Sequence, residues 1–411
     1  MSTMKGNMQR MLLSGVVATV IAFGIGGAAR ADVTSDQAAA ILIFPKIVVD
    51  TSGVLGPATD TIIQVTNASN SIVAARCFYI NATSHCSNAP TTACTTEGVA
   101  NLAADGQGGC PVGGTCEPSW NETDFRMTLT KRQPVSWKAT DGLNVGTSPL
   151  PGTAGVLGVP EDPFFGELKC VEVDPGTFKP VSGFDPANDG RGDLKGEATI
   201  VSAVPGEFTS AVDTRKYNAI GLQAIPSNGN NGDDTLQLGG TGAEYNGCPN
   251  ILTLDHLFDD APVVTHGGGV TRSVVTELTV VPCGEDLALQ VPATVTLQFL
   301  VFNEFEQRFS TSTHITCFEE IQLSNIDTRP VSSDDFASIF NVNVQGTFSG
   351  QTRIRPVSTG GVANGVLAVA EEFWDCGSGP GDICSTAANV HFVGSRDLGD
   401  QLILSPDIGG N

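Results

Sequence analysis

Eleven cysteines are the residues of this sequence with the most definite chemistry. In an exported chain, cysteines that lie close together are typical of disulfides that staple loops with little apolar core. Proximity in the sequence predicts three bridges: Cys86–Cys94, Cys110–Cys116 and Cys376–Cys384. Four more cysteines stand in or beside strand-like runs and are candidates for longer bridges, with their connectivity left open: Cys77, Cys170, Cys283 and Cys317.

An odd number of cysteines leaves one thiol free or paired with another chain. We predict that this thiol is Cys248, because it lies in the loop YNGCPN rather than in a strand-like run. A zinc site would need paired C-x₂₋₄-C or Cys/His spacings. The sequence contains none, so disulfides are favoured over zinc.

Two acidic loops have the residue types that bind calcium, which prefers several hard oxygen ligands from one flexible turn. The first, at 185–193, has Ala187 in the middle ligand position, so a polar turn is the alternative. The second, at 231–240, resembles one copy of a repeat that needs neighbouring copies, so a linker is the alternative. Calcium is thus a possible cofactor, and the candidate ligands are Asp185, Asp189, Asp193, Asp233 and Asp234.

For catalysis, the sequence contains no G-x-S-x-G, no H-E-x-x-H and no phosphate-binding G-x-x-x-x-G-K-[ST] motif. His256 stands beside Asp255, but adjacent strand residues face opposite ways. Paired carboxylates could serve a glycoside hydrolase, yet such pairs are expected by chance in so acidic a chain. The carboxylate pairs are Glu304/Glu306, Glu319/Glu320 and Glu371/Glu372. We therefore predict no catalytic residue.

Two of the three tryptophans lie next to the Cys-rich loops. Exposed aromatic rings in stapled loops can stack on sugars, whereas buried ones fill the core. Trp120 and Trp137 are therefore candidate sugar-stacking residues, with core packing as the alternative.

The charge of the chain limits its partners. There are 44 Asp and Glu residues against 21 Lys and Arg residues, a formal net charge of −23. Such a surface repels phosphate backbones and anionic lipid, so nucleic acid and membrane-surface partners are disfavoured. An unknown surface or glycan ligand is the remaining expectation, and the oligomeric state is left open.

Residues 1–31 have the pattern of a secretory signal peptide. Lys5 and Arg10 precede an apolar stretch, and Ala29-Arg30-Ala31 is typical of a cleavage site. An uncleaved anchor is the alternative, although four glycines weaken the stretch as a spanning helix. We expect a secreted, periplasmic or cell-surface protein without membrane insertion of the mature chain.

The elements that must position these residues are strands. Residues 59–80 contain two β-branched runs separated by Asn67–Asn70, which predicts a hairpin. A similar order recurs late in the chain, where V-x-N at 301–303 precedes Cys317-Phe318 as Val65–Asn67 precedes Cys77-Phe78. Short strands with frequent turns favour an all-β fold of two antiparallel sandwiches in tandem, Ig-like or jelly-roll-like.

The predicted organisation has four parts. After the leader come an N-terminal sandwich at 32–224 with a disulfide-pinned insertion at 83–119, a Gly/Asn-rich linker at 225–250, and a C-terminal sandwich at 251–411. The two sandwiches would be a distant duplication. One large sandwich with long insertions is the alternative architecture.

Two functional hypotheses follow. The first is a non-enzymatic one: an exported, disulfide-stabilised structural or binding protein whose first-half loops carry the recognition surface. The second is a secreted carbohydrate-active hydrolase or lyase that uses carboxylates, and convergent Glu and Asp residues in a groove would favour it.

Overall fold

The structure is a computed structural model of the chain. It describes residues 33–54, 57–94, 110–144, 155–180, 191–203, 212–225, 233–264, 271–291, 293–330, 336–357, 364–375, 383–396 and 398–406. None of the helices in these ranges is long and apolar enough to cross a membrane.

Nearly all of the described structure is antiparallel β-sheet, which confirms the all-β, sandwich-type prediction. The two helices are single turns, α1 Leu323–Ile326 and α2 Val342–Gln345. The strands are β1 Ile41–Val49, β2 Thr59–Asn67, β3 Val73–Asn81, β4 His85–Cys86, β5 Ala89–Ala93, β6 Cys116–Glu117, β7 Asn121–Leu129, β8 Pro134–Lys138, β9 Leu143–Asn144, β10 Gly155–Val156, β11 Phe164–Val173, β12 Leu194–Ala203, β13 Val212–Asn218, β14 Ile220–Leu222, β15 Thr235–Leu238, β16 Pro249–Leu257, β17 Pro262–Val264, β18 Thr271–Pro282, β19 Thr294–Asn303, β20 Arg308–Thr316, β21 Glu319–Gln322, β22 Thr328–Pro330, β23 Phe336–Ser338, β24 Ser349–Val357, β25 Val366–Asp375, β26 Ile383–Asn389, β27 His391–Ser395 and β28 Asp400–Ile403.

The first half contains two larger sheets. Their strand orders are β14-β1-β11-β3-β7 and β13-β12-β2-β8. Strand β2 alternates buried and half-buried residues, so Ile63 and Val65 face a core that also contains Phe44, Phe164 and Trp137. Strand β1 is buried along its whole length, because both of its faces are covered.

The second half contains the orders β20-β19-β24-β16-β27 and β17-β18-β25-β26, with β21 also paired to β18. Strand β19 alternates in the same way, with Leu297, Phe299 and Val301 buried. Their side chains join Phe258 and Phe340 in a second core. The other face of this sheet carries the exposed Arg353 and Arg355 together with the half-buried apolar residues Ile251 and Leu300.

A third core is shared by the two halves. It contains Ile41 and Phe78 of the first half with Leu367 and Leu402 of the second, and Phe318 packs against it. The described residues belong to one compact unit. The expectation that each half closes an interior of its own is therefore wrong for the residues around Phe78 and Phe318.

The predicted linker contributes to this shared core. In its described part, 233–250, β15 pairs with β28, and Leu236, Leu238 and Tyr245 are buried. The many Gly and Asn residues of this segment predicted an exposed linker. Its few apolar side chains are nevertheless enough to anchor it in the core. A domain boundary in this segment stays a prediction.

The hairpin predicted at 59–80 is wrong. Strand β2 pairs with β12 and β8, while β3 pairs with β11 and β7 in the other sheet, so the chain arches between sheets. Asn67 holds this arch, since its amide accepts the Ser69 N–H at 2.8 Å and donates to the Ser71 carbonyl at 2.7 Å. The second predicted hairpin is confirmed, because β19 pairs with β20.

The halves share part of their pairing pattern. If β1, β2, β8 and β11 of the first half are taken in order as the counterparts of β18, β19, β24 and β25, the same strands pair in both halves. These pairs are β1–β11 and β2–β8 in the first half, and β18–β25 and β19–β24 in the second. They differ at the strands that follow β2 and β19, since one connection is an arch and the other a hairpin. Duplication stays a prediction.

Candidate anion-binding site

The outer face of the sheet β20-β19-β24-β16-β27 carries an unusual group of cations. Strand β24 alternates, so Thr352 and Ile354 enter the core while Arg353 and Arg355 are exposed on the other face. Two residues along a strand place these arginines about 7 Å apart at their Cα atoms. Exposed Arg308 begins strand β20 two strands away, beyond β19.

These three arginines line one open cavity of about 370 Å³. We call this surface the arginine face, and its residues are Ile251, Gln298, Leu300, Arg308, Ser310, Arg353 and Arg355. The register explains the grouping, because Leu300 of β19 lies opposite Ser310 on one side and Arg353 on the other. An apolar floor is therefore bordered by guanidinium groups on two sides.

Neutral partners hold two of the guanidinium groups. Arg355 Nε donates to Gln298 Oε1 at 2.7 Å, and the Arg353 guanidinium lies 5.5 Å from the centroid of the Phe302 ring. In the described part of the chain no carboxylate forms an ion pair with Arg308, Arg353 or Arg355. Asp255, on the same sheet face, is hydrogen-bonded to Gln351 at 3.0 Å.

This arrangement can bind an anion. An arginine fork presents parallel N–H donors that match the two oxygens of a carboxylate. In a chain of net charge −23, three arginines without carboxylate partners form a local surface of opposite sign. Such a surface attracts anions that the rest of the protein repels.

The first half has a larger cavity of about 690 Å³, on the outer face of β2, β8 and β12. Its charged lining residues are of both signs: Asp36, Lys195 and Glu197. Lys195 Nζ donates to the Asp36 carbonyl at 2.7 Å. This cavity therefore selects neither anions nor cations by charge.

Buried cations in the interior are paired differently. Lys46 Nζ contacts Glu277 at 2.7 Å, Glu320 at 3.0 Å, and Glu371. Glu371 also accepts from Arg215 Nε at 2.6 Å. Burial raises the pKa of Glu320 to about 8, although Lys46 opposes the change.

A second buried cluster surrounds Lys169. Its Nζ contacts Glu167 at 2.9 Å and also Glu285, and all three side chains are fully buried. Burial raises the pKa of Glu167 well above its usual range, and the neighbouring carboxylate of Glu285 adds to this shift. The Lys169 ammonium group thus lies between two buried carboxyl groups.

The free thiol is Cys317, not Cys248 as predicted. Cys248 is buried and bonded to Cys283, because the loop around it packs into the shared core instead of being exposed. Cys317 is buried near Glu285, and burial raises the pKa of its thiol far above the usual value. A protonated, enclosed thiol is a poor nucleophile.

The four cysteines of the insertion form two disulfides, as predicted, but the predicted pairing is wrong. The bridges are Cys86–Cys110 and Cys94–Cys116 rather than the sequence neighbours. Strand β4 pairs with both β5 and β6, which brings distant parts of the insertion together. The sulfurs of Cys86, Cys94 and Cys110 lie within 4.8 Å of one another for this reason.

The longer bridges are confirmed for Cys77, Cys170 and Cys283. Cys77–Cys170 joins directly opposite residues of β3 and β11, with 4.0 Å between the Cα atoms. Cys384 is disulfide-bonded, whereas Cys376 lies outside the described residues, so their predicted pairing stays a prediction.

The candidate calcium ligands are only partly described. Asp185 and Asp189 lie outside the described residues. The Asp193 backbone N–H donates to Glu172 at 2.7 Å, Asp233 accepts from the Thr235 N–H at 2.8 Å, and Asp234 forms an ion pair with Arg76 at 2.9 Å. Calcium binding by these loops stays a prediction.

Trp137 is a core residue, so the sugar-stacking prediction is wrong for it. Its ring is 3% exposed, its Nε1 donates to Tyr79 Oη at 2.8 Å, and Phe125 packs edge-on against it. The alternating strand β8 turns this residue inward. Trp120 is half-buried against the shared core.

Members of two of the carboxylate pairs, Glu320 and Glu371, meet on Lys46, and the third pair lies apart from them. Glu304 is exposed and accepts from the Ser349 hydroxyl at 2.8 Å, far in sequence and environment from the buried Glu371. His256 is 4% exposed and packs edge-on against Phe258, with its Nε2 2.8 Å from Thr352 Oγ1. Burial lowers the pKa of this histidine. Asp255 points to the opposite face, as the alternation of a strand requires.

The arginine face was missed in the sequence. Its signal was Arg353-Ile354-Arg355, two cations with an apolar residue between them in a chain poor in cations. Arg308 had no such signal, because it approaches the other two only through the pairing of β20 with β19 and of β19 with β24.

Comparisons with known proteins add little. No protein-family model matches the chain, and a search of curated proteins finds no match. Among solved structures, one similar chain is the CupB6 tip adhesin from Pseudomonas aeruginosa, with 11% identity over 87% of this chain and 92% of that chain. The TM-score of 0.12 is too low for an argument about fold or function.

Proposed function

We propose that this chain is an exported, disulfide-stabilised binding protein of the cell surface or extracellular space, and that its arginine face binds acidic sugars of a glycan. The observation that carries this proposal is a group of three exposed arginines that have no carboxylate partner among the described residues, in a strongly acidic chain. Export is supported by the leader pattern at 1–31 and by the disulfides.

The chemistry of the face fits a sugar acid. A guanidinium fork matches the carboxylate, while Leu300 and Ile251 offer apolar surface to the C–H face of a pyranose ring. Gln298 and Ser310 can exchange hydrogen bonds with ring hydroxyls. A site of this kind combines a few polar groups with an apolar floor, as ligand sites commonly do.

A densely charged polyanion fits less well. Nucleic acid carries one charge per about 1.7 Å of duplex axis and would extend beyond the face onto an acidic surface. A glycan with one carboxylate per sugar spaces its charges more widely. The expectation from the sequence that nucleic acid is not a partner therefore stays part of the proposal.

The test uses isothermal titration calorimetry with an oligogalacturonate and the same oligosaccharide after methyl esterification. We expect the wild-type protein to bind only the acid form, since the ester removes the charge and keeps the sugar. Arg353→Ala/Arg355→Ala should weaken binding at least about tenfold, a typical cost of losing charged hydrogen-bond donors.

The matched control is Lys131→Ala/Lys138→Ala, which removes two exposed cations from the first half. It should bind the acid form as the wild type does. Equal binding of the ester, equal loss in the control, or no binding of any acidic glycan on a panel would each contradict the proposal.

A further inference from the structure

Strand β20 is an open edge of the sheet that carries the arginine face. It runs over nine residues, RFSTSTHIT, and β19 is its only partner among the described strands. An edge strand presents one row of N–H and C=O groups that can pair with another strand. Monomeric proteins usually protect such edges with charges, proline, bulges or short length.

The described edges β7, β8, β13 and β26 have such protection, and the edges β14, β17 and β27 are short, with three, three and five residues. Strand β8 is five residues long and begins with Pro134, and β7 carries charged residues at Glu122, Asp124 and Arg126. Strands β13 and β26 cover each other, since Asn218 N–H and carbonyl bond the Asn389 side chain at 3.2 and 2.8 Å. Strand β20 has no Lys, Asp, Glu or Pro, and its one arginine is its first residue.

The residues of β20 are complementary to the same strand run in the opposite direction. When two copies pair about Ser312, Arg308 lies opposite the partner's Thr316 and Ser310 opposite the partner's His314. On the other face, Phe309 meets the partner's Ile315 and Thr311 meets the partner's Thr313. The apolar pair is thus Phe309 with Ile315, the hydroxyl side chains face a hydroxyl, a histidine or an arginine, and no like charges are opposed.

We propose that β20 is the pairing surface for β20 of a second copy of this chain, in an antiparallel twofold arrangement centred on Ser312. This joins two five-stranded sheets into one continuous sheet and closes the edge with a symmetric interface. The arginine faces then lie side by side. The two Arg353 residues are five strand spacings apart across the sheet, about 24 Å, and four residues apart along the strands, about 13 Å, so about 28 Å separates their Cα atoms.

This spacing has a consequence that rests on the proposed function. A glycan long enough to span both faces would bind them together, and the second contact would be intramolecular. The pair of chains would then hold a long acidic glycan much more tightly than a short one, without any additional type of contact.

The test of the interface needs no ligand, so its result is independent of the glycan proposal. Sedimentation velocity over a concentration series should give a dimer for the wild-type chain. Ser312→Lys should give a monomer, because it places two like charges opposite each other on the twofold axis. Ser312 is exposed, so the variant should keep the circular-dichroism spectrum of the wild type, and its unfolding midpoint should fall only by the stabilisation that dimer formation adds.

The matched control is Ser136→Lys, which adds the same charge to the exposed face of edge strand β8 and should leave the dimer intact. As a positive test, Ser312→Cys should form an interchain disulfide under mild oxidation, because directly opposite strand residues have Cα atoms about 4.5–5.5 Å apart. Ser136→Cys should not. A monomeric wild type, a dimeric Ser312→Lys variant, or equal crosslinking of the two cysteine variants would overturn the proposal.

Discussion

The cations of the interior and those of the arginine face have opposite environments. Lys46 and Lys169 are almost completely buried, and each contacts two or more carboxyl groups. Arg353 and Arg355 are exposed, and within the described part of the chain the structure gives them the Phe302 ring and the Gln298 amide as partners. The buried lysines are therefore neutralised by carboxyl groups inside the fold, whereas the surface arginines keep their charge exposed.

The buried cations stabilise the fold, whereas the exposed arginines are available for binding. Around Lys46, the cations of the first half (Lys46 on β1, Arg215 on β13) meet carboxylates of the second half, of which Glu371 on β25 contacts both. These contacts link the halves through charge as the shared core links them through apolar packing. Among the described residues the arginines of the arginine face form no ion pair between the halves, so their guanidinium groups are available to a ligand.

The largest effect should come from Lys46→Met. The variant leaves the half-buried Glu277 without its cation and the buried Glu371 with Arg215 alone, so we expect a loss of about 3–5 kcal/mol in the free energy of unfolding. Urea unfolding monitored by circular dichroism measures it. Lys46→Met/Glu277→Gln should recover part of the loss, because it removes the carboxylate that has lost its cation while Glu371 keeps Arg215. A loss below about 1 kcal/mol for the single variant would show that the Lys46 ion pairs stabilise the protein no more than surface ion pairs do.

The pH dependence of stability should give an intermediate effect. The pKa of Glu320 is about 8 in the folded protein against 4.5 as its ordinary value, so the folded state binds an extra proton between these pH values. The stabilisation from this carboxyl is present below the lower value and is lost as pH rises to about 8.

The measurement compares urea unfolding of the wild type and Glu320→Gln from pH 5 to pH 9. The wild type should lose at least about 1 kcal/mol more than the variant over this range, because the variant stays neutral. The control is Glu197→Gln, which removes a surface partner of Lys216 and should leave the slope nearly unchanged. Parallel curves for the wild type and Glu320→Gln would show that this carboxyl is already ionised in the folded state.

The smallest effect on stability should come from the arginine face itself. Arg353→Ala/Arg355→Ala should change the free energy of unfolding by no more than about 0.5 kcal/mol per site, as exposed substitutions usually do. Urea unfolding of the same sample used for calorimetry checks this. A loss of several kcal/mol would mean that these arginines stabilise the sheet and that their effect on binding is indirect.

Local patterns predicted the type of structure well. Alternation in residues such as Ile63 and Val65 is enough to indicate a strand with one buried face, and an odd cysteine count is enough to indicate a free thiol. Neither pattern contains information about distant partners. The break at Asn67–Asn70 suits an arch between sheets as well as a hairpin, and only the packing of both runs decides between them.

The candidate site depended even more on long-range pairing. Arg353 and Arg355 could be placed on one strand face from the sequence, but not Arg308, which approaches them through strand β19. Disulfide pairing failed for the same reason. Cys86 is closer in sequence to Cys94 than to Cys110, yet the strand pairs around β4 decide which sulfurs meet.

The shared core also restricts the order in which the chain can fold. Ile41 and Phe78 of the first half are covered by Leu402 and Leu404 near the other end of the described chain. A first half that left the ribosome ahead of the second would expose this apolar surface to water and to other chains. Folding should therefore wait until strand β28 has emerged, and fragments that lack it should aggregate rather than fold.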